Sequence, residues 1–493
     1  MDTEVTLGDV DLSTIKTRSL SGVVTLISRS FLQRIIGTAG FFALSVFLGR
    51  PEIGLFIAVN DLVSILGYFS DIGLAASLIQ KKDKVSLIDL RTTFTLQQVI
   101  VLGLLLLSLG VSPWLFSYYH IQGGGVWLFY SLLTAFFLAS LKTIPSVILE
   151  RQLKFEILAA VEVVESLVFY ALAVLLAWQG GGVASYAWAV LLRGLVGTSL
   201  IYLLAPWPVG LAFSKSSLKS LLSFGLPYQL NSLMAVVKDR FVNIVLWKII
   251  GADGVGVIGW AQTWSQLPLR FVMDNVTKVT FPSFARLQDH ADQLKKAIEK
   301  TLFFITFLTF PIVAGLAVTA PVLIKIIPRY SKWEAALLPL ALFCFNSALA
   351  AVSTPLTNTL NAIGHVKINT YLMIMWTALT WGLTPYLAVK YGYVGVAYAT
   401  AIIALSSIVP VIIVRRLVAF SLTRALAAPT AGVAVMLPLA AFLSAVLAPS
   451  VANLATTIVA SGLVYLLVCL IVGGRTLVAD GQKFLHAFRQ KNK

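Results

Sequence analysis

Residues 253–285 read DGVGVIGWAQTWSQLPLRFVMDNVTKVTFPSFA. The stretch is long and apolar enough to cross a hydrocarbon core of about 30 Å as a helix. Yet Gln262, Gln266, Arg270, Asp274 and Lys278 recur in it at every fourth position. A charge left uncompensated at the bilayer centre costs roughly 2.5–3.5 kcal/mol on insertion scales. Three ionisable groups on one such helix therefore require a wet cavity, ion-pair partners or both. Steps of four residues advance about 40° beyond a full turn, so the row winds round the helix. Gln266, Arg270 and Asp274 can share one wall, while Gln262 and Lys278 fall nearer the two membrane surfaces.

Comparable apolar runs recur through the 493 residues, of which 58% are hydrophobic and 12% charged; a soluble domain carries about 25% charge. The runs predict an all-α membrane protein with about 14 transmembrane helices. Cys344 and Cys469 lie in apolar runs, with no CxxC and no His/Cys cluster, so neither a disulfide framework nor a metal site is expected. His120, His290, His365 and His486 are scattered in or near loops, and no phosphate-binding loop or dinucleotide motif is present. Nothing in this pattern nominates an enzyme. Residues 1–20 are polar and lack an apolar core behind a basic start, so no cleavable signal is expected.

The net charge of +16 is explained by its distribution. With the N-terminus inside, 23 Lys and Arg fall on the cytoplasmic segments and 6 on the opposite side. The positive-inside rule then places both termini in the cytoplasm, with the chain in the cytoplasmic (inner) membrane. The basic excess faces anionic lipid heads, and no nucleic-acid partner is implied.

A repeat is visible along the chain. Gly49 and Gly54 match Gly251 and Gly256; Pro145 matches Pro355; Gly182 with Ala187-Trp188-Ala189 matches Gly392 with Ala397-Tyr398-Ala399. The nearly constant offset gives two six-helix lobes of the same orientation, residues 29–205 and 215–418. They are flanked by a cytoplasmic segment at 1–28, an extra helix hairpin at 425–473 and a basic cytoplasmic tail at 474–493. Outward turns such as Gln122–Gly125 and Gln179–Gly182 are short and glycine-rich.

The ionisable groups within spans are Arg29, Arg34, Asp61, Asp71, Lys142, Glu162, Glu165, Arg193, Lys238, Asp239, Arg240, Arg270, Asp274 and Lys278. Ten of these fourteen fall on helices 1, 2, 7 and 8, the matched first pairs of the two lobes. That distribution predicts a central, solvated, net cationic cavity between those pairs. Glu165 and Arg193 lie at equal depth on a helix hairpin and are expected to form a structural ion pair; Glu162 and Lys142 are expected to snorkel or pair. Asp61, Ser64, Tyr68 and Asp71 fall on one helical face, as do Tyr228, Asn231 and Lys238. Tyr68, Asn231 and Gln266 are expected to line the polar cavity. Arg34 and Arg270 fall near mid-membrane, and the guanidinium fork matches phosphate oxygens bidentately. Asp61, Asp71 and Asp274 are candidates for coupling a proton or Na+, or for balancing the bases. No other cofactor is expected. Trp260 and Trp264, one turn apart, offer rings on which a sugar could stack.

Several segments resemble a known family. Asp71-Ile-Gly-Leu-Ala-Ala-Ser-Leu-Ile-Gln-Lys-Lys-Asp83, Leu149-Glu-Arg-Gln-Leu-Lys-Phe155, Phe224-Gly-Leu-Pro227, Phe281-Pro-Ser-Phe-Ala-Arg-Leu-Gln-Asp289 and Asn361-Ala-Ile-Gly364 look like Wzx-type polysaccharide flippases. Those belong to the MATE-like multidrug/oligosaccharidyl-lipid/polysaccharide exporter superfamily, and the likeness is strongest to its colanic-acid-type, lipopolysaccharide-biosynthesis branch. The resemblance implies a V-shaped pair of six-helix bundles. It also implies alternating access that moves an undecaprenyl-pyrophosphate-linked oligosaccharide to the outer leaflet, the lipid tail staying in the bilayer. In the related lipid II flippases, arginines on helices 1 and 8 serve the pyrophosphate, and Arg34 and Arg270 occupy comparable helices and depths. Helix 2 offers no arginine within its span, so Lys238 or Arg240 would supply the remaining positive charge. Expected partners are the lipid-linked oligosaccharide, membrane lipids, and a polysaccharide polymerase and glycosyltransferases. Two alternatives stay open: a MATE-like drug/cation antiporter, and a membrane O-antigen polymerase or ligase.

Overall fold

The computed structural model describes residues 12–81, 85–219, 221–223, 225, 229 and 240–491, with side chains from 29 to 474. Among the described residues, twelve stretches are long and apolar enough to cross a membrane. Two of these, Val242–Arg286 and Val366–Val418, run to 45 and 53 residues. Each is broken where a glycine takes positive φ, at Gly251 (67°) and Gly392 (62°). Taking each of the two as a pair gives the fourteen helices expected, and no strand occurs among the described residues. By its contacts the chain divides into two compact units, Met1–Gly256 and Val257–Lys493.

The first unit contains α1 (Leu12–Phe47), α2 (Arg50–Asp71), α3 (Leu74–Gln80), α4 (Leu87–Tyr119), α5 (Gly124–Leu141), α6 (Thr143–Arg151), α7 (Phe155–Trp178), α8 (Ala184–Leu204) and the start of α9 (Val242–Arg286). The apolar run expected to be one helix from 53 to 80 is interrupted. Ile72 (φ 48°) and Gly73 (φ 75°) are left-handed, and the Asp71 carboxylate then accepts the Ala75 N–H at 3.0 Å, capping α3. Gly73 is required by a close approach as well as by its φ, because a Cβ there would fall on the Gly225 carbonyl. Arg151 closes the other end of α3, donating to the carbonyls of Leu78 (2.7 Å) and Lys81 (2.9 Å).

A second break, between α5 and α6, has its cause in Pro145. Proline has no N–H to give the carbonyl four residues back; that carbonyl, Leu141, accepts instead from the Tyr202 hydroxyl at 3.0 Å. The matched Pro355 sits inside an unbroken helix, so the two copies differ here. Gly182 and Gly392 do behave alike: both take positive φ, 52° and 62°, just before a sixth helix.

One seam runs the length of α2. Arg50 pairs with Asp253 at 3.0 Å. Gly54 lies so close to the start of α9 that a Cβ would fall on the Ala252 carbonyl and 2.5 Å from Gly256 N. Asp61 joins Arg240 and Asn243, the Tyr68 carbonyl accepts from Gln229, and Gly73 meets Gly225. The partner numbers fall as the α2 numbers rise, so the described partner residues are met in antiparallel order along α2. Glycines at two of the contacts allow backbone to meet backbone.

The second unit holds the rest of α9, then α10 (Ala291–Ile326), a single 3₁₀ turn (Ser331–Ala336), α11 (Leu337–Ala362), α12 (Val366–Leu405), α13 (Ile408–Val418), α14 (Leu422–Val446) and α15 (Val451–Lys491). The polar connection after Arg286 is short, because α10 starts at Ala291 and continues unbroken into the membrane. The α14–α15 hairpin docks on α10 through Ala428, Met436, Tyr465 and Cys469 against Phe303 and Phe307. Cys344 and Cys469 are both free and buried.

Candidate functional site

The first unit encloses a cavity of about 610 Å³ whose polar lining includes Gln33, Asn60, Ser64, Lys142, Glu165 and Arg193. Glu165, on α7, is 3% exposed. Its carboxylate accepts from Lys142 Nζ at 2.5 Å and lies 3.5 Å from Arg193 Nε. Space for it comes from α8: a Cβ at Gly197 would overlap Glu165 Oε1. The Glu165–Arg193 pair expected from depth is therefore present, with Lys142 as a second base. Lys142 reaches it from the α5–α6 break, while Glu162 pairs with Arg29 and accepts from Gln33 at 2.9 Å. The sequence signal for the Lys142 contact was Pro145, which marks the break but not what the break delivers.

On α2, Asp61 is 3% exposed, and its two oxygens are taken by Arg240 and by Asn243 Nδ2 at 2.8 Å. Asp71 caps α3 and also borders a second cavity of about 400 Å³ with Gln97, Lys142 and Glu150. This cavity and the larger one share Gly67, Phe136, Ala139 and Lys142, so Lys142 stands between them. Tyr68 is half-buried, and Ser64 and Gly67 beside it form the cavity walls. Arg34 is half-buried on α1; Gln33 and Gly37 are the α1 residues that line the larger cavity.

In the second unit, Arg270 and Asp274 are exposed on α9, and Arg270 Nη2 donates to Gln266 Oε1 at 2.7 Å. The amide aims the guanidinium along the helix face and leaves most of its donors for other acceptors. Asn231 and Lys238 lie outside the described residues. The Trp260 ring is not a sugar platform: it is 2% exposed and stacked on Trp333 at 5.1 Å, with Tyr330 at its edge. Tyr330 and Trp333, at the 3₁₀ turn far along the chain, close on it, a convergence that one-turn spacing does not reveal.

A chain with twelve stretches of membrane-crossing length among its described residues, buried ion pairs and polar cavities has the architecture of a transporter. The same fold is found in the lipid II flippase MurJ in its inward closed conformation, with a TM-score of 0.74 at 16% identity, covering 91% of this chain and 98% of that one. It recurs in the inward-facing conformation of a multidrug resistance MATE family transporter of the MOP superfamily, with a TM-score of 0.59 at 18% identity, covering 81% and 98%. Residues 43–337 match the family described as polysaccharide biosynthesis protein, and the chain belongs to that family. Among its relatives, the lipopolysaccharide biosynthesis protein WzxC of Escherichia coli (strain K12) is 28% identical over 160 residues, so the match spans about a third (32%) of either chain. The teichuronic acid biosynthesis protein TuaB of Bacillus subtilis (strain 168) is 25% identical over 359 residues, 71% of this chain and 72% of its own.

Proposed function

We propose that this protein moves a lipid-pyrophosphate-linked oligosaccharide from the cytoplasmic to the outer leaflet of the inner membrane, with both termini in the cytoplasm. The observation that carries the reading is the Gln266–Arg270 pair at 2.7 Å, which presents an exposed guanidinium within a membrane-crossing helix, with Asp274 one turn on. An exposed apolar side chain there would face lipid at no cost, whereas an arginine needs water or an anion. Its planar fork suits the two phosphates of a pyrophosphate. The roles of the relatives in lipopolysaccharide and teichuronic acid biosynthesis support a glycan on that anion.

Arg34 is the second proposed phosphate ligand, with Lys238 as a third base. Arg240 is held by Asp61 in this state and would reach the anion only once that pair opens. Asp71 and Asp274 are the proposed coupling or charge-balancing groups for a proton, Na+ or the membrane potential. The lobes at 29–205 and 215–418 are the proposed moving bodies, and a polymerase and glycosyltransferases are the proposed partners. Replacing Arg270 by Ala, with membrane insertion preserved, is expected to lower export of the surface polysaccharide by at least about tenfold, the loss of one charge-assisted bidentate contact. Arg270→Lys keeps the charge without the fork and should fall between. Export unchanged in Arg270→Ala would remove its role.

A further inference from the structure

We infer that the first unit carries, at its weakly basic end, a binding subsite for a pyranose ring. A cavity of about 390 Å³ opens where the start of α2, the end of α4 and residues 247–252 of α9 meet, within the size range of small-ligand pockets. Its wall carries aromatic rings. Tyr119 stacks on Trp247, with centroids 4.5 Å apart and planes 20° from parallel, and Tyr118 meets Tyr119 edge-on at 4.9 Å. Lys248 holds Tyr118 in place, its Nζ donating to the Tyr118 carbonyl at 2.6 Å and lying 4.2 Å from the ring centroid.

Hydrogen-bonding groups line the same cavity: Glu52, His120 and Gln122. Glu52 is fixed there because one carboxylate oxygen accepts the Gly49 N–H ahead of α2. His120 ends α4 as a left-handed C-cap, φ 54° and ψ 40°, its N–H donating to the Phe116 carbonyl, a common helix stop in which histidine is over-represented among residues with a Cβ. That helix stop sets an exposed imidazole among the residues lining the cavity.

A pyranose ring needs this combination. Its C–H face carries partial positive charge and packs on the negative face of an aromatic ring. Its hydroxyls need both donors and acceptors, which an imidazole, an amide and a carboxylate supply. A lipid tail would leave those polar groups without water; a phosphate would meet the Glu52 carboxylate, while Lys248, the cation in the lining, is turned onto the Tyr118 carbonyl and ring. Aromatic residues also gather at membrane interfaces to face lipid, but Trp247 is 3% exposed and therefore points inward. The identity of the sugar as part of the cargo rests on the proposed function. In that orientation the cavity lies on the outer side, where a glycan arrives after crossing.

The test uses the full chain in lipid nanodiscs. Methyl β-glucopyranoside, methyl β-galactopyranoside, the methyl glycoside of N-acetylglucosamine and methyl β-glucuronopyranoside are titrated separately, with glycerol as the polyol control. Saturation-transfer NMR reads binding from the sugar protons. At least one pyranoside should bind saturably, and glycerol should not. His120 and Gln122 are both exposed, so the His120→Ala/Gln122→Ala double variant should fold, with its dissociation constant raised about tenfold through two lost hydrogen bonds. Tyr119→Phe should bind as wild type and Tyr119→Ala should not bind. Inorganic pyrophosphate should not compete. The subsite is overturned if no pyranoside binds saturably, if the double variant binds like wild type, or if pyrophosphate displaces the sugar. A protein that binds pyranosides but flips no lipid-linked glycan would refute the proposed function and leave the subsite; the reverse result would refute the subsite alone.

Discussion

Glu165 shows how much one side chain settles inside a membrane-crossing unit. It is buried between a lysine and an arginine, in a space that exists because position 197 is glycine. Removing one partner of a buried ion pair leaves an uncompensated charge, at about 3–5 kcal/mol. Glu165→Ala should therefore lower the thermal unfolding temperature in detergent substantially, mostly through Lys142, since the half-exposed Arg193 can turn to water. Glu165→Leu combined with Lys142→Met should recover most of the loss; a double variant as unstable as Glu165→Ala would show that the pair is not the source. The Glu165–Arg193 contact was legible in sequence because a hairpin puts residues equally far from its turn at equal depth. The Asp61–Arg240 contact was not, because it depends on which helix lies beside α2, and hydropathy does not rank neighbours.

At the scale of the element, three prolines expose one device. Pro113, Pro145 and Pro311 each leave a carbonyl four residues back without its helical donor, and each carbonyl finds a hydroxyl. Leu109 accepts from Ser112 at 2.8 Å, Leu141 from Tyr202 at 3.0 Å, and Phe307 from Tyr465 at 2.9 Å. The last of these latches the C-terminal hairpin to α10. A buried carbonyl left without a donor costs about 1–3 kcal/mol, so Tyr465→Phe should loosen the hairpin and speed proteolysis at the 447–450 turn. Adding Pro311→Ala restores the helical N–H and should reverse much of that; no reversal would mean that the hydroxyl acts elsewhere. Helix number was legible because apolar runs of membrane length are hard to mistake. The breaks at Ile72–Gly73 and Lys142 were not, because one depends on a glycine meeting another backbone and the other on where a freed carbonyl finds a partner.

For the whole molecule, the orientation proposed from charge asymmetry and the lobes proposed at 29–205 and 215–418 set what has to move. Motion of those lobes as bodies requires the α2 seam with Asp253, Ala252, Asn243 and Arg240 to part during transport. Arg50 and Asp253, 3.0 Å apart at one end of that seam, offer a way to hold it. An Arg50→Cys/Asp253→Cys variant, bridged by a bis-methanethiosulfonate reagent that spans the gap the two longer side chains now fill, should stop transport and regain it on reduction; the native cysteines are buried and should not interfere. Transport that continues while the bridge is intact would move the boundary elsewhere, with the contact division at Gly256/Val257 the next place to hold. The central claim is that Arg270 grips a pyrophosphate carried across the membrane. The most direct measurement is transbilayer movement of a fluorescent undecaprenyl-pyrophosphate oligosaccharide in proteoliposomes holding the purified protein. Movement is expected with the wild-type chain, with inhibition by excess unlabelled lipid-linked pyrophosphate and loss with Arg270→Ala. Movement at the wild-type rate in that variant, or no movement with the wild-type chain, would contradict that claim.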